Sequence, residues 1–585
     1  MAVADYIAIA VIFLFPGLLW TVASTSWRTM RSIEILAMSF ALSCIALPLV
    51  LAGSAWIGLV VPVWMLTLFS AGCGVVAGAL LTIQILRRKG IPIEIFKVSQ
   101  EDVAASIVFV LHLGLVYSYF FRYPVFDKIF LPDTLFHTSA TLQIANSGGR
   151  GLLRIFEYPL ALHFMLSLVL RCVQGEPIVI VRSTLAAIES LTLIMVYITA
   201  SRVMQSRLYG FFSTLTYAVI VPVGLIHLID VGTYSNMLAN LYTLCAIYFF
   251  ATAMKNADLR SQLTLVIVGI ALAFSHFSSF IFISFIWVFL PVVCIFFRKL
   301  WKAYVVSSLS LSLGLFSLLL CVPNLIYRIS FVLSGPSTVL LPRDPIFGLL
   351  YSRVPFLGLT YAFAGLPSFS VLLASLVLLF KKSGQSLWYA LLPGWFTYTF
   401  VLSLQGENVW RFALYAMFVG IFIVGYFIST PMISIYRWAS NLSSHPVVNK
   451  INSRGIVAVM ILTLVTMGPT FQFINDVIRG STSQRQLAIY DSMKWADKNT
   501  PRDSSFLSVG LLEYTYLPVV ANRTFQGDYE VSPEEIYSLS VRNRVDYVAV
   551  STRDESLEAF KSDELFELKF ENEYVLIFHI KRVAD

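Results

Sequence analysis

The sequence has very little charge for its length. Only 13% of its 585 residues are Asp, Glu, Lys or Arg, whereas 58% are hydrophobic, and the mean hydropathy is +0.78. A soluble globular protein of this size needs a far more charged surface, so that class is excluded. Many uncharged windows reach the roughly 18 residues that a helix needs to cross a bilayer. The composition therefore predicts a polytopic α-helical membrane protein.

Cysteine is also scarce, and the motifs of several enzyme classes are missing. The six cysteines fall in or beside apolar runs without a CxxC pair, which gives no support for a disulfide framework or a zinc site. The sequence contains no P-loop and no GxGxxG, so we expect no nucleotide site on the cytoplasmic side. The net charge of +8 comes from basic residues in short loops. They indicate topology and not nucleic-acid binding.

The apolar runs predict about 14 membrane spans, and alternate loops between them are basic. By the positive-inside rule these loops are cytoplasmic, so both termini and a long central loop, residues 121–177, face outward. An apolar segment inside that loop, Tyr158 to Leu170, is too short to cross the bilayer. We interpret it as an interfacial or re-entrant helix.

The central loop carries the strongest candidates for chemistry. Asp127, Asp133 and His137 lie close to the predicted membrane surface, where a carboxylate is costly unless it is solvated or used. Asp133 and His137 are four residues apart, so they share one face if the segment is helical. Such a pair can act as a general base or hold a divalent cation, Mg²⁺ or Mn²⁺, although no cofactor is certain. The alternative is a helix cap beside a solvated neighbour.

Further candidates lie at the outward ends of other predicted spans. Arg411 is placed to hold a lipid phosphate through two hydrogen bonds, or else it is an ordinary interfacial anchor. We expect these polar groups to gather at one membrane surface, in contrast to the mid-membrane charges of transporters. The candidate substrate-binding residues are Glu157, Tyr158, His163, Arg182, Asp230, His276, Arg343, Arg353, Glu407 and Arg411.

The composition changes after the last span, which divides the chain into three parts. Residues 1–102 are additional N-terminal spans, residues 103–475 are the transmembrane core, and residues 476–585 are a charged outer domain. In that domain a helix beginning at Ser532-Pro533 alternates with strands such as VDYVAVST. Alternating helices and strands predict a small extracytoplasmic α/β domain.

Together, these features resemble the GT-C integral-membrane glycosyltransferases, particularly the prokaryotic protein-mannosyltransferase and aminoarabinose-transferase types. The resemblance rests on their order along residues 103–585: the acidic loop with Asp127, Asp133 and His137, the Tyr158-Pro159 to His163 element, Arg182, the Ser-His segment at His276, the ENVWRF segment from Glu407, and the C-terminal domain. Family members often carry two nearly adjacent acids, whereas here the two aspartates are six residues apart.

The resemblance implies a glycosyltransferase of the cell envelope that uses a polyprenyl-phosphate-linked sugar. The acceptor would be a glycan, a lipid or a protein, and an Asp of the loop would deprotonate it in an inverting displacement. That role falls on Asp133 or Asp127, and phosphate neutralisation falls on Arg411, with Arg343 or Arg353. The alternatives are a transporter or lipid flippase, and a catalytically silent scaffold with the same fold. We expect the protein in a prokaryotic plasma membrane, with its active site outside.

Overall fold

The computed structural model describes two main parts of the chain, a helical bundle and a C-terminal domain. The described residues are 3–24, 30–87, 98–120, 132–149, 160–173, 175–218, 234–256, 259–289, isolated residues between 312 and 429, 484–521, 523–529 and 532–581. Asp127, Glu157, Tyr158, Asp230, Arg343, Arg353, Glu407 and Arg411 lie outside them.

The bundle consists of apolar helices that follow predicted spans and of two helices, Pro132–Ser147 and Ala161–Cys172, that lie in the predicted central loop. In chain order they are α1 (Val3–Ser24), α2 (Ser32–Trp56), α3 (Val63–Arg87), α4 (Gln100–Phe120), α5 (Pro132–Ser147), α6 (Ala161–Cys172), α7 (Pro177–Met204), α8 (207–218), α9 (Ser235–Asn256), α10 (Leu259–Ser275) and α11 (Phe277–Val288). Among the described residues, five helices are long and apolar enough to cross a membrane: α2, α3, α4, α7 and α9. The protein is an integral membrane protein, and the count of about 14 spans remains a prediction.

The N-terminal helices are packed into the same core as the rest of the bundle. Gly17 of α1 allows close contact with α2, because a Cβ there would lie 1.7 Å from the carbonyl oxygen of Ser39. Trp20 donates its indole N–H to the hydroxyl oxygen of Thr264 in α10 at 3.0 Å. One continuous cluster of buried apolar side chains runs from α1 through α11. The helices before residue 103 are thus in direct contact with the predicted transmembrane core.

A buried ion pair ties α2, α4 and α7 together at one end of the bundle. Arg31, the residue before α2, contacts Asp102 in the first turn of α4, and both side chains are about 5% exposed. Tyr197 of α7 donates its hydroxyl hydrogen to the same carboxylate at 2.8 Å. Glu34 also pairs with Arg31, at 3.3 Å. Arg31, expected only to mark topology, therefore also holds three helices in register.

The C-terminal domain is a five-stranded mixed sheet with helices on both faces. Its elements are α12 (Gln484–Asn499), β1 (Ser505–Val509), a 3₁₀ turn (Leu512–Tyr516), α13 (Leu517–Ala521), β2 (Thr524–Tyr529), α14 (Pro533–Asn543), β3 (Tyr547–Ser551), α15 (Leu557–Ser562), β4 (Phe566–Glu571) and β5 (Val575–Ile580). The strand order is β2-β1-β3-β5-β4. The first three strands are parallel, and β5 pairs antiparallel with both β3 and β4.

The three central strands, β1, β3 and β5, are buried on both faces, as expected for strands covered by helices on both sides. One apolar cluster joins the sheet to α12 and α13, and another joins it to α14 and α15. The predicted start of α14 is confirmed: Ser532 is the N-cap, Pro533 follows it, and Glu535 completes a capping box. The predicted α/β composition is therefore present in this part of the chain.

The C-terminal domain packs against the bundle at the N-terminal end of α7. Glu176, the N-cap residue of α7, accepts a hydrogen bond from the hydroxyl of Tyr490 at 2.7 Å and pairs with Lys494. Ile178 of α7 belongs to the same apolar cluster as α12 and α13. We name this end of the bundle, where α5, α6 and the start of α7 lie, the loop end. Arg31 and Asp102 lie at the opposite end.

The segment predicted as interfacial or re-entrant is helix α6. Its 12 residues are too few to cross a bilayer, as expected. The side chains from Ala161 to Val169 are all buried inside the protein. This burial favours the re-entrant alternative, because an interfacial helix would expose one face to lipid.

The ion pair leads to a stability prediction. Asp102→Asn removes the negative charge that faces the buried guanidinium of Arg31. We therefore expect the free energy of unfolding to fall by about 3 kcal/mol. Arg31→Met should lower the free energy of unfolding by a similar amount. The double variant should lower it by little more than either single substitution does. Equilibrium unfolding of the purified protein in detergent measures all three. Strictly additive losses would contradict the pairing.

Candidate functional site

Helices α5 and α6 bring together two histidines that are 26 residues apart. Nδ1 of His137 in α5 lies 2.9 Å from Nε2 of His163 in α6, and the ring planes are stacked with centroids 5.0 Å apart. One of the two facing nitrogens must donate a hydrogen and the other must accept it. The accepting nitrogen carries no hydrogen, so at least one of the two imidazoles is neutral. His163, which the sequence suggested only as a substrate-binding candidate, is thus a direct partner of His137.

The local sequence explains why α5 is placed this way. Pro132 occupies the first turn, where its missing N–H is not needed. The helix ends at Gly148 and Gly149, whose φ angles of +73° and +83° lie in the left-handed region that glycine tolerates. The chain therefore turns sharply after α5, and α5 packs against α6.

Aromatic rings enclose the histidine pair. Phe136 contacts the His163 ring edge-on with centroids 6.1 Å apart, and the ring of Tyr234 lies 5.8 Å from that of His137. His276, a single extended residue between α10 and α11, interacts electrostatically with His137. Three predicted site residues, His137, His163 and His276, are therefore brought to one place.

Burial controls the protonation of the pair. The pKa of His137 is well below its ordinary value, first because of burial and then because of the neighbouring His163 and His276. Burial also lowers the pKa of His163 to about 3. Both rings are therefore neutral near pH 7, and the pair forms a hydrogen bond, one facing nitrogen donating and the other accepting, without a buried charge.

Two more predicted residues lie in described helices at the loop end. Asp133 is the second residue of α5 and lies one helical turn before His137. Arg182 is in the second turn of α7 and its side chain is buried, with 1% exposed. The structure thus orders the segment that carries Asp133, His137 and His163. Asp127 and the other predicted members of the site lie outside the described residues.

The divalent cation stays a prediction. No group of three His, Cys, Asp or Glu side chains among the described residues is arranged to hold a metal. His137 and His163 direct their facing nitrogens at each other at 2.9 Å, which leaves no room for an ion between them. Mg²⁺ also prefers oxygen ligands.

Sequence reasoning missed a polar cluster inside the bundle. Glu189, near the middle of α7, accepts a hydrogen bond from the hydroxyl of Tyr217 in α8, and both are fully buried. His112 of α4 packs on the Tyr217 ring with centroids 6.3 Å apart. Ionisable side chains are therefore present inside the bundle as well, and the gathering of the candidate residues at one membrane surface stays a prediction. A lone Glu inside an apolar run was the available signal, because carboxylates are rare there.

Comparison with solved structures gives several similar chains. ArnT from Cupriavidus metallidurans matches in the apo state with a TM-score of 0.49 and 13% identity, and bound to undecaprenyl phosphate with 0.48 and 13%; each alignment covers 81% of this chain and 97% of that chain. The archaeal oligosaccharyltransferase AglB from Archaeoglobus fulgidus, in complex with an inhibitory peptide and a dolichol-phosphate, matches with a TM-score of 0.44 and 14% identity, covering 78% and 70%.

These are GT-C glycosyltransferases. They are the class that the sequence resembles. No family model matches the sequence, and no curated protein matches it. Residue roles in this chain rest on its own contacts.

The histidine pair predicts a pH dependence of stability. Unfolded histidines bind protons below about pH 6.5, whereas the buried pair does not until the pH is far lower, so stability falls as the pH drops below 6.5. Each of the two histidines should lower the free energy of unfolding by roughly 1.4 kcal/mol when the pH reaches 5.5. Thermal unfolding between pH 7.5 and 5.5 should show a steeper decline for wild type than for the His137→Gln/His163→Gln variant. Equal slopes would contradict a neutral buried pair.

Proposed function

We propose that this protein is a membrane glycosyltransferase that moves a sugar from a polyprenyl-phosphate donor to an acceptor at the outer face, with inversion. The observation that carries the proposal is the buried contact between His137 and His163. It fixes the start of α5, which bears Asp133, against a short buried helix at the loop end. A carboxylate-bearing segment held in this way is suited to position a reacting group.

In the proposed reaction, the carboxylate of Asp133 takes the proton of the acceptor hydroxyl. The acceptor oxygen forms a bond to the anomeric carbon as the bond between that carbon and the phosphate oxygen breaks, and polyprenyl phosphate leaves with the electron pair. Asp127 is the alternative base. Arg411, with Arg343 or Arg353, would neutralise the leaving phosphate.

The remaining candidates would bind substrate around this centre. They are Glu157, Tyr158, His163, Arg182, Asp230, His276 and Glu407. Among the described members, His163 contacts His137 directly, and His276 lies within electrostatic range of it. The neutral imidazoles would keep α5 in place without adding positive charge beside the catalytic carboxylate.

The C-terminal domain supports a site at the loop end. Its α12 contacts Glu176 immediately before α7, and Leu142 of α5 packs against the same apolar cluster. A water-exposed domain must lie outside the hydrocarbon, so the loop end is at a membrane surface. We propose that this surface is extracytoplasmic, as the basic loops predict. Polyprenyl phosphate is also the lipid present in the ArnT and AglB structures.

A second candidate function, lipid or solute transport, is favoured by the buried contact between Glu189 and Tyr217. An intramembrane carboxylate is often part of a proton or substrate pathway. On this alternative Glu189 would be essential and Asp133 would not. The two functions therefore make opposite predictions for two conservative variants.

The decisive experiment compares Asp133→Asn with wild type in a transfer assay. Purified protein is incubated with radiolabelled polyprenyl-phosphate sugars and a membrane extract as the acceptor source. We expect Asp133→Asn to lower transfer at least ~100-fold, because a general base contributes about that much or more. Its thermal unfolding should match wild type.

Two variants serve as controls for that assay. Asp503→Asn removes an exposed carboxylate of the C-terminal domain and should leave transfer unchanged. Glu189→Gln should retain most of the transfer activity, since it keeps an acceptor for Tyr217. Loss of lipid-sugar movement across vesicles in Glu189→Gln, with no transfer by wild type, would support transport. Absence of both activities in wild type would support a silent scaffold.

A further inference from the structure

A shallow groove lies at the loop end, between the α2–α3 connection and the pair formed by α5 and α6. Its wall includes the apolar side chains of Leu51, Leu59 and Phe164. Ser54, Ser167 and Arg171 supply the polar atoms. The empty space in the groove is about 250 Å³, and part of this space is open to its surroundings. The groove therefore suits the edge of a flexible chain and not an enclosed small molecule.

Among the described residues that line this groove, Arg171 is the only charged one. It lies in the last turn of α6, is partly buried, and donates one N–H to the carbonyl oxygen of Val61. Among the residues that the structure describes, no carboxylate pairs with it. A partly buried guanidinium beside apolar side chains keeps further N–H groups for an anion, and a phosphate suits its planar geometry.

The surroundings place the groove at the depth of lipid headgroups. Trp56 and Trp64 flank the α2–α3 connection and are 56% and 63% exposed. Tryptophan prefers the boundary between headgroups and acyl chains. Below it, α3 exposes apolar side chains such as Leu68 and Val75. The helix that follows the α2–α3 connection thus presents an apolar face that lipid covers favourably.

The groove is narrow because a glycine allows its two walls to approach. Gly148 at the end of α5 has φ +73°, and a Cβ built there would lie 2.5 Å from a methyl carbon of Val60. The α2–α3 connection can therefore lie directly on α5, and Arg171 from α6 bridges to the same connection through Val61. A ligand bound here would touch the connection and the helix pair at once.

We propose that this groove binds one phospholipid of the bilayer, with its phosphate on Arg171 and the upper part of an acyl chain along Leu51, Leu59 and Phe164. The phosphate neutralises the charge of Arg171, and the acyl chain covers the apolar side chains of the groove. A bilayer phospholipid is favoured over a polyprenyl-phosphate sugar because Ser54, Ser167 and Arg171 are the polar side chains among the described residues of the lining, too few to bind a sugar as well as a phosphate. The site is independent of the proposed transferase activity.

Native mass spectrometry of the full-length detergent-purified protein with dioleoylphosphatidylglycerol tests the proposal. Arg171→Gln should weaken binding at least tenfold, because it removes charge-assisted hydrogen bonds. Arg171→Lys should retain part of it. Arg87→Gln removes an exposed arginine at the far end of α3 and should bind as wild type does. Equal affinities for Arg171→Gln and Arg87→Gln would overturn the proposal.

A further variant and a further lipid complete the test. Leu59→Trp fills the groove from an exposed position and leaves Arg171 unchanged, so it should also weaken binding by at least tenfold. Dioleoylglycerol, which lacks the phosphate, should bind wild type much more weakly than the phospholipid. Equal binding of dioleoylglycerol would overturn the phosphate contact. Displacement of the phospholipid by equimolar undecaprenyl phosphate would overturn its identity and make this a donor-lipid site.

Discussion

Polar side chains inside this bundle must find their partners within the protein, because hydrocarbon supplies none. Arg31 and Asp102 satisfy each other at one end, and Glu189 takes the hydroxyl hydrogen of Tyr217 near the middle. At the loop end, His137 and His163 form a pair. Each contact joins different helices, so the positions of the helices depend on a few polar contacts as well as on apolar packing. An unpaired buried group would cost more than its partner contributes.

The C-terminal domain extends this dependence beyond the membrane. Tyr490 and Lys494 reach the N-cap residue of α7, Glu176, and the apolar cluster under the sheet includes Ile178. The helix that follows carries Arg182 in its second turn and Tyr197 near its other end. The contacts of the domain and the contact of Tyr197 with Asp102 therefore lie on the same helix.

Local patterns along the sequence were sufficient for the elements but not for their contacts. Ser532, Pro533 and Glu535 predict the start of a helix from residues that lie close together in the sequence. Five apolar runs form helices long enough to span a membrane. His137 and His163 are 26 residues apart, and Lys494 is 318 residues from Glu176. Such separations are set by how the helices pack, which residue spacing cannot show. Burial of α6 on all sides was likewise hidden, because short apolar segments look alike whether lipid or protein covers them.

Helix α7 shows how these contacts act together. At 100° per residue, Arg182, Glu189 and Tyr197 fall within a sector of about 80°, so one side of the helix carries these three groups at three depths. The helix cannot rotate by half a turn without breaking the contacts of Glu189 with Tyr217 and of Tyr197 with Asp102. Rotation is therefore fixed in the interior and at the end opposite the loop, far from Asp133. The side of α7 on which Arg182 lies at the loop end therefore depends on contacts made elsewhere along the helix.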